Sequence, residues 1–356
     1  MGVQADMKLR IGVLAPISHA IPPPSYGPWE TVAYELVEGL SDLGHDVTVF
    51  GPQGTESSAH RVVATVPRPL DHPGMNSRLW EERHIAIAAD MAAADEFDLL
   101  HSHLHVHALG YSRLLKCPLV TTLHGVASNP EVGNMLLAYR AEPFVSISNA
   151  ERSFRPELNY IATVYNGIDT SALAMRSAKD DYLAFAGRIA PEKGPDLAIA
   201  AARSSGRRLL IAGPVEDIHQ GYFDAHIRPH LGGDLEYLGN LERKSLIDLL
   251  GGAAALLMPL RWDEPFGLIV IEAMATGTPV IAWRRGAMPE IVIHGETGFL
   301  VDSVSEAVTA VASLDQIHPA ACRQRVVRTF DRRTMAIGYS TVYGELLEQS
   351  PPVGRI

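Results

Sequence analysis

Cysteine is nearly missing from this sequence. Cys117 and Cys322 are the two cysteines among 356 residues; they stand far apart in no metal-ligand spacing, so neither a disulfide framework nor a zinc site is indicated. A reducing, cytoplasmic setting fits. No apolar run reaches the length needed to span a bilayer, residues 1–9 lack a secretory apolar core, and Asp6 stands where a myristoylation signal after Gly2 would need a hydroxyl residue. The expectation is a soluble protein without stable membrane insertion. No two glycines are spaced as Gly-x-Gly, so the dinucleotide-binding fingerprint is absent and a nicotinamide dehydrogenase is disfavoured. Nor is there an Asp-x-Asp pair, the arrangement that would hold a divalent metal against a diphosphate. Positive charge is in deficit: 30 Lys and Arg face 41 Asp and Glu, a net charge of −11. An acidic surface repels phosphate backbones and anionic lipid, so nucleic acid is a poor partner.

What is present describes a two-domain α/β protein. Hydrophobic residues at 47% and charged residues at 20% match compact globules, and the length suits two cores better than one. Residues 9–15 form an apolar run that reads as a buried parallel strand, followed by a Pro-rich loop through Pro22, Pro23, Pro24, Gly27 and Pro28. A helical pattern over 31–43 closes at Gly44 and leads into a strand at 46–50. Strand, helix and strand with a short return make a right-handed parallel unit, and further strands are predicted at 98–101, 118–123 and 144–146. The same grammar restarts at 182–186, with a loop at 188–194, a helix at 195–204 and strands at 208–212, 253–258 and 279–283. The predicted domains are 1–175 and 176–330, followed by a terminal helix over 331–356. Ligands of such sheets bind beyond the carboxyl ends of the strands, which points to a cleft between the two domains.

Two constellations carry chemistry. Glu264 and Glu272 lie before and inside a helix predicted to start near Gly267, on the order of 10 Å apart along its axis, which suits opposite parts of one nucleotide-sugar. The amides of Phe266, Gly267 and Leu268 at that helix start would suit phosphate oxygens or sugar hydroxyls. On the loop Gly187-Arg188-Ile189-Ala190-Pro191-Glu192-Lys193-Gly194, the guanidinium of Arg188 and the ammonium of Lys193 could neutralise a diphosphate as its bond to a sugar breaks, with no metal required. Read in isolation, each constellation is also what an ordinary helix acid or surface charge looks like. His101, His103, His105 and His107 alternate and would share one face of a strand, but no carboxylate or cysteine completes a metal set.

The Arg-x4-Lys-Gly loop, the run Glu264-Pro265-Phe266-Gly267-Leu268 and the second glutamate eight positions later resemble glycosyltransferase family 4, whose architecture is GT-B: two Rossmann-like, doubly wound domains facing a central cleft. Thr122-Leu123-His124-Gly125, Ser146-Ile147-Ser148, Asn166-Gly167-Ile168-Asp169 and Gly295-Glu296-Thr297-Gly298-Phe299-Leu300 match the family in order, over nearly the whole chain. The resemblance implies a retaining, metal-independent transfer from a UDP- or GDP-linked sugar. It implies that Arg188 and Lys193 hold the diphosphate, that Glu272 binds the ribose, and that Glu264 with the backbone of 266–268 binds the transferred sugar. The base would lie near 238–241, including Leu241, with Gly213 lining the same pocket, and His124 would contact the donor sugar. Gly27 is retained where relatives have paired glycines, but Pro28 has no amide proton to donate. Tyr26, Trp29 and Glu30 are the acceptor-side candidates. The acidic balance leans toward a small soluble or saccharide acceptor over a lipid-linked one. A sugar-nucleotide epimerase of the same fold is the alternative enzyme, and an inactive sugar-nucleotide sensor the alternative binding protein.

Overall fold

Strand β1, Arg10–Leu14, buries four consecutive residues after its first, as a strand covered on both faces must. It is the third of seven strands in a parallel sheet. With β2 (Asp46–Pro52), β3 (Arg61–Val66), β4 (Leu99–Ser102), β5 (Leu119–Thr122), β6 (Phe144–Ser146) and β7 (Tyr160–Thr163), the order is β3-β2-β1-β4-β5-β6-β7. Every pairing in it is parallel. The computed structural model describes residues 8–349.

The second sheet contains β8 (Tyr182–Ala186), β9 (Arg208–Ala212), β10 (Leu235–Tyr237), β11 (Ala255–Met258), β12 (Val280–Trp283) and β13 (Gly298–Val301), in the order β10-β9-β8-β11-β12-β13. It too is parallel throughout. Both orders are doubly wound, reversing direction between β1 and β4 in one sheet and between β8 and β11 in the other. The two sheets with their helices define the GT-B fold class.

The chain divides into two units, one holding residues up to Pro23, Gly27–Gly167 and the chain from Arg332 onward, the other Pro24–Tyr26 and Ile168–Asp331. The sequence pattern places these divisions at 175 and 330. Neither unit is thus continuous in sequence. Packing gives the reason for the terminal segment: helix Arg332–Gln349 lies against helix Pro28–Asp42, so closely that a Cβ on Gly39 would fall 2.8 Å from the Cβ of Ala336. Arg332 Nε donates to Glu35 Oε2 at 2.5 Å, and Tyr339 and Tyr343 are fully buried. Residues 350–356 of the predicted 331–356 segment lie outside the described residues.

Each unit has its own core. Phe50, Phe97, Leu100, Leu119 and Phe144 anchor the first. Leu183, Phe185, Ile211, Leu257 and Ile281 anchor the second.

Candidate active site: a charged loop pair and a histidine cluster

In the second unit the loops leaving β8 and β11 stand at the point where the strand order reverses, the position that doubly wound sheets use for ligands. The first carries Arg188 and Lys193, the second Glu264. Arg261 joins the two loops: its amide donates to Glu192 O at 2.9 Å, and its guanidinium forks onto Asp196 with contacts of 2.7 and 2.5 Å. Gly194, at φ +70, is required between them, because a Cβ there would lie 2.1 Å from the carbonyl oxygen of Pro259.

Lys193 Nζ donates to Glu264 Oε2 at 2.5 Å, and both side chains are mostly buried. Trp262 completes the group. Its indole Nε1 donates to the same carboxylate oxygen at 3.1 Å, and its ring centroid lies 4.6 Å from the ammonium, so the cation faces a π surface and an anion together. Arg188 reaches Glu192 at 3.2 Å and Glu216 at 3.1 Å. Burial works against its charge, but Tyr26, Glu216 and Glu192 more than restore it, so its pKa rises above the ordinary guanidinium value.

Behind Glu264, the 284–287 turn acts as a brace. Ala287 N donates to Glu264 O at 2.8 Å, Gly286 N donates to Asp263 Oδ1 at 3.2 Å, and a Cβ on Gly286 would lie 2.2 Å from that Glu264 carbonyl oxygen. Helix Leu268–Ala275 starts at Gly267, which holds φ +97, and its first amides have no acceptor within the helix itself. The Phe266 side chain is core, 5.8 Å edge-on to Phe330, so backbone is what this position can offer a ligand. Glu272 is buried, with Oε1 held by Arg243 Nη1 at 2.7 Å.

The glycine at the end of β9 approaches the Arg188 loop closely. Gly213, at φ +140, would place a Cβ 1.8 Å from Gly187 O, and its amide donates to Gly239 O at 2.8 Å. Leu241 is half-buried on the loop after β10. Gly213, Gly239 and the Arg188 loop therefore form one continuous backbone wall.

In the first unit, His124 follows β5 and is buried with its Nε2 at 2.9 Å from His103 Nδ1. His101 joins the same cluster, bonded to Thr122 Oγ1 at 2.7 Å and to Tyr343 Oη at 2.6 Å. His105 packs edge-on to His124 and to Trp29, with centroids 5.7 and 4.8 Å away. Burial holds all four histidines below the ordinary imidazole range: His101 and His105 down to about 3, His103 and His124 well below, with neighbouring imidazoles adding to each. The alternating row does not stay together as a strand face would. His107 stands apart, half-exposed at 3.9 Å from Glu81. Among the described residues no group of three or more His, Cys, Asp or Glu has metal-holding geometry.

The acceptor-side residues separate. Tyr26 belongs to the second unit, where it interacts with Arg188; Trp29 and Glu30 lie on the first helix of the first unit. Trp29 is half-exposed, whereas Glu30 is turned inward, accepting from the His19 amide at 3.2 Å, and burial raises its pKa. Glu30 is thus enclosed by the loop that precedes its helix. Gly27 is the residue before that helix, and a Cβ on it would lie 2.7 Å from Pro23 Cβ. Sequence reasoning missed the roles of Trp262, Glu216 and Arg243. Glu192 stands inside the Gly187–Gly194 loop at a spacing that allows contact with Arg188, and Trp262 two positions before Glu264; Glu216 and Arg243 give no such local signal.

A doubly wound pair of sheets, with an arginine and lysine loop set against a carboxylate at the switch point of one of them, defines a glycosyltransferase of the GT-B class that uses a nucleotide-sugar donor. The family comparisons agree. A model described as Glycosyltransferase Family 4 matches residues 29–172, and one described as Glycosyl transferases group 1 matches residues 175–319. The chain belongs to glycosyltransferase family 4. It is 28% identical to a glycogen synthase of Mycobacterium tuberculosis, over 92% of this chain and 93% of that one. It is 26% identical to an N-acetyl-alpha-D-glucosaminyl L-malate synthase of Bacillus anthracis, over 96% and 98%. Among solved structures, AviGT4, a glycosyltransferase involved in avilamycin A biosynthesis, superposes with a TM-score of 0.74 at 24% identity, over 96% of this chain and 98% of that one. These matches do not support the epimerase alternative. Among the described residues no helix is long and apolar enough to cross a membrane.

Proposed function

We propose that this chain transfers a sugar from a UDP- or GDP-linked donor to a small soluble or saccharide acceptor, with retention at the anomeric carbon and without a divalent metal. The observation that carries the reading is the 2.5 Å contact between Lys193 and Glu264, on paired loops that also hold Arg188. A diphosphate would exchange carboxylate partners for phosphate oxygens at Lys193 and Arg188, which supply the countercharge a metal otherwise brings. Glu264 and the 266–268 backbone then take the transferred sugar. Glu272 takes the ribose, while Gly213 and the segment to Leu241 border the base. His124 contacts the donor sugar and Gly27 the donor, while Tyr26, Trp29 and Glu30 serve the acceptor side.

In the reaction the bond from the anomeric carbon to the phosphate oxygen breaks and one to the acceptor oxygen forms on the same face. The acceptor's proton passes to the departing phosphate oxygen, so the enzyme needs no nucleophile of its own and contributes chiefly alignment and charge stabilisation. A small acceptor is favoured by the net charge of −11, and similarity to a relative named an N-acetyl-alpha-D-glucosaminyl L-malate synthase supports that reading.

Thermal unfolding with UDP, GDP and ADP, each with and without EDTA, tests the reading. The leaving nucleotide should stabilise the fold by about 2.7 kcal/mol at a hundredfold excess over its Kd, equally in EDTA. No stabilisation by UDP or GDP, or one abolished by EDTA, overturns it. Retention is read from the anomeric coupling of the product by NMR, and an inverted product overturns that part.

A further inference from the structure

His103 is the first residue beyond β4 and His124 the second beyond β5, two neighbouring strands of the first sheet. Strand β4 ends at Ser102 and β5 at Thr122, and the two run parallel with Ser102 opposite Thr121. His103 is fixed by its amide, which donates to Leu14 O at 3.0 Å. The two imidazoles meet through Nδ1 and Nε2 at 2.9 Å. Their planes differ by 18° and their centroids are 5.1 Å apart, the spacing expected when two ring radii are added to that nitrogen separation. The rings therefore lie end to end in one plane and do not stack face to face. That is the geometry of a straight N–H···N hydrogen bond.

Both rings are buried and neutral, so each has one donor nitrogen and one acceptor nitrogen, and a single proton lies between them. Two arrangements are possible. The far nitrogen of His103, Nε2, decides between them because it is buried with no hydrogen-bond partner. If His124 donated, the proton of His103 would sit on that Nε2 as a bare N–H. If His103 donates from Nδ1, Nε2 keeps only a lone pair. Buried orphan N–H groups are rarer than under-used acceptors, which favours the second arrangement.

We propose that His103 is a positioning residue that locks His124 into the tautomer protonated on Nδ1. His124 can then give a hydrogen bond to a sugar oxygen but cannot take one from a sugar hydroxyl. This use of the tautomer rests on the reading of His124 as a contact to the donor sugar; the tautomer itself does not. His105, also buried with both ring nitrogens unpartnered, packs against His124 without hydrogen-bonding it and leaves the assignment to His103.

The test is a two-bond proton–nitrogen correlation spectrum of the full chain labelled with 15N-histidine, which needs no variant. His124 should show a protonated Nδ1 and a bare Nε2. Protonation at Nε2 overturns the proposal. In kinetics with whichever of UDP-glucose and GDP-mannose is turned over, His103→Leu should lower kcat by about tenfold or more while donor KM changes much less. His103→Asn, which keeps a donor near the position of Nδ1, should recover most of that loss. Equal loss in both variants, with His124 unchanged in the spectrum, also overturns it. Normal turnover in His124→Ala would instead remove the sugar-contact reading, so the two failures are distinguishable.

Discussion

Tyr343 Oη stands 2.6 Å from Nδ1 of His101, tying the last described helix to the end of β4. The other ring nitrogen of His101 meets Thr122 Oγ1, which in turn lies 2.8 Å from Tyr339 Oη. Two tyrosines and a threonine thus satisfy a histidine that no water reaches. Replacing Tyr343 with phenylalanine keeps the ring and strands one imidazole nitrogen. The expected cost is about 1–2 kcal/mol, measured as a lower urea midpoint with unchanged slope. An unshifted midpoint would show that the bond contributes nothing.

Lys193 and Arg188 are expected to act on rate far more than on folding. Each alanine variant should lose on the order of a hundredfold or more in turnover, because the charge that develops on the leaving diphosphate would lack its countercharge. Melting temperatures should stay within a few degrees of the parent, since each side chain contacts other charged groups across a loop and neither belongs to the core. Near-normal turnover in both variants would end the diphosphate assignment.

Acid should weaken the fold in a defined window. Burial lowers His84 to about 4, against a partly opposing hydrogen bond to Ala15 O, and lowers His101 and His105 to about 3. The unfolded chain, with imidazoles near 6.5, binds more protons than the folded one between these values, so stability present above pH 6.5 falls as the pH drops toward 3. His84 alone accounts for roughly 3 kcal/mol across its window. Urea titrations at pH 7, 6, 5 and 4.5 should show the midpoint falling steadily, and His84→Gln should flatten part of that slope. A pH slope left unchanged by His84→Gln would contradict the buried neutral state of that imidazole.

Glycine tolerance separates close approach from turn geometry. Gly206 holds φ +67 with nothing near a would-be Cβ, so alanine there should cost only about 1–2 kcal/mol of left-handed strain. Gly213 adds a collision with the Gly187 carbonyl, and alanine should cost about 3 kcal/mol or more. Equal melting temperatures for the two variants would refute the distinction.

Much of the architecture was legible because buried parallel strands are short apolar runs. β1, β8, β9, β11 and β12 all read that way. β3 did not: Arg61, Val62 and Ala64 are exposed on an edge strand, and the apolar-run signal of a buried strand is weak there. The charged motifs were legible through their residue types and order, but their partners were not. Arg243 reaches Glu272 from 29 positions away, and Glu216 reaches Arg188 from 28; no local period encodes such pairs. The burial of Glu30 was not legible for a related reason. A carboxylate in the first turn of a helix usually points to solvent, and only the loop folded back over it, with the His19 amide, makes burial tolerable. Tyr26 illustrates a third limit, because the unit to which a three-residue segment belongs depends on tertiary contacts alone.

The interrupted first unit has a consequence for biosynthesis. A ribosome finishes 168–331 before it has made 332–349, so the second Rossmann-like body has all but three of its residues in one stretch and can close on its own during translation. The first body must wait, with the flank of helix Pro28–Asp42 around Gly39 uncovered, until the last helix emerges. The half of the enzyme made first is therefore the half completed last.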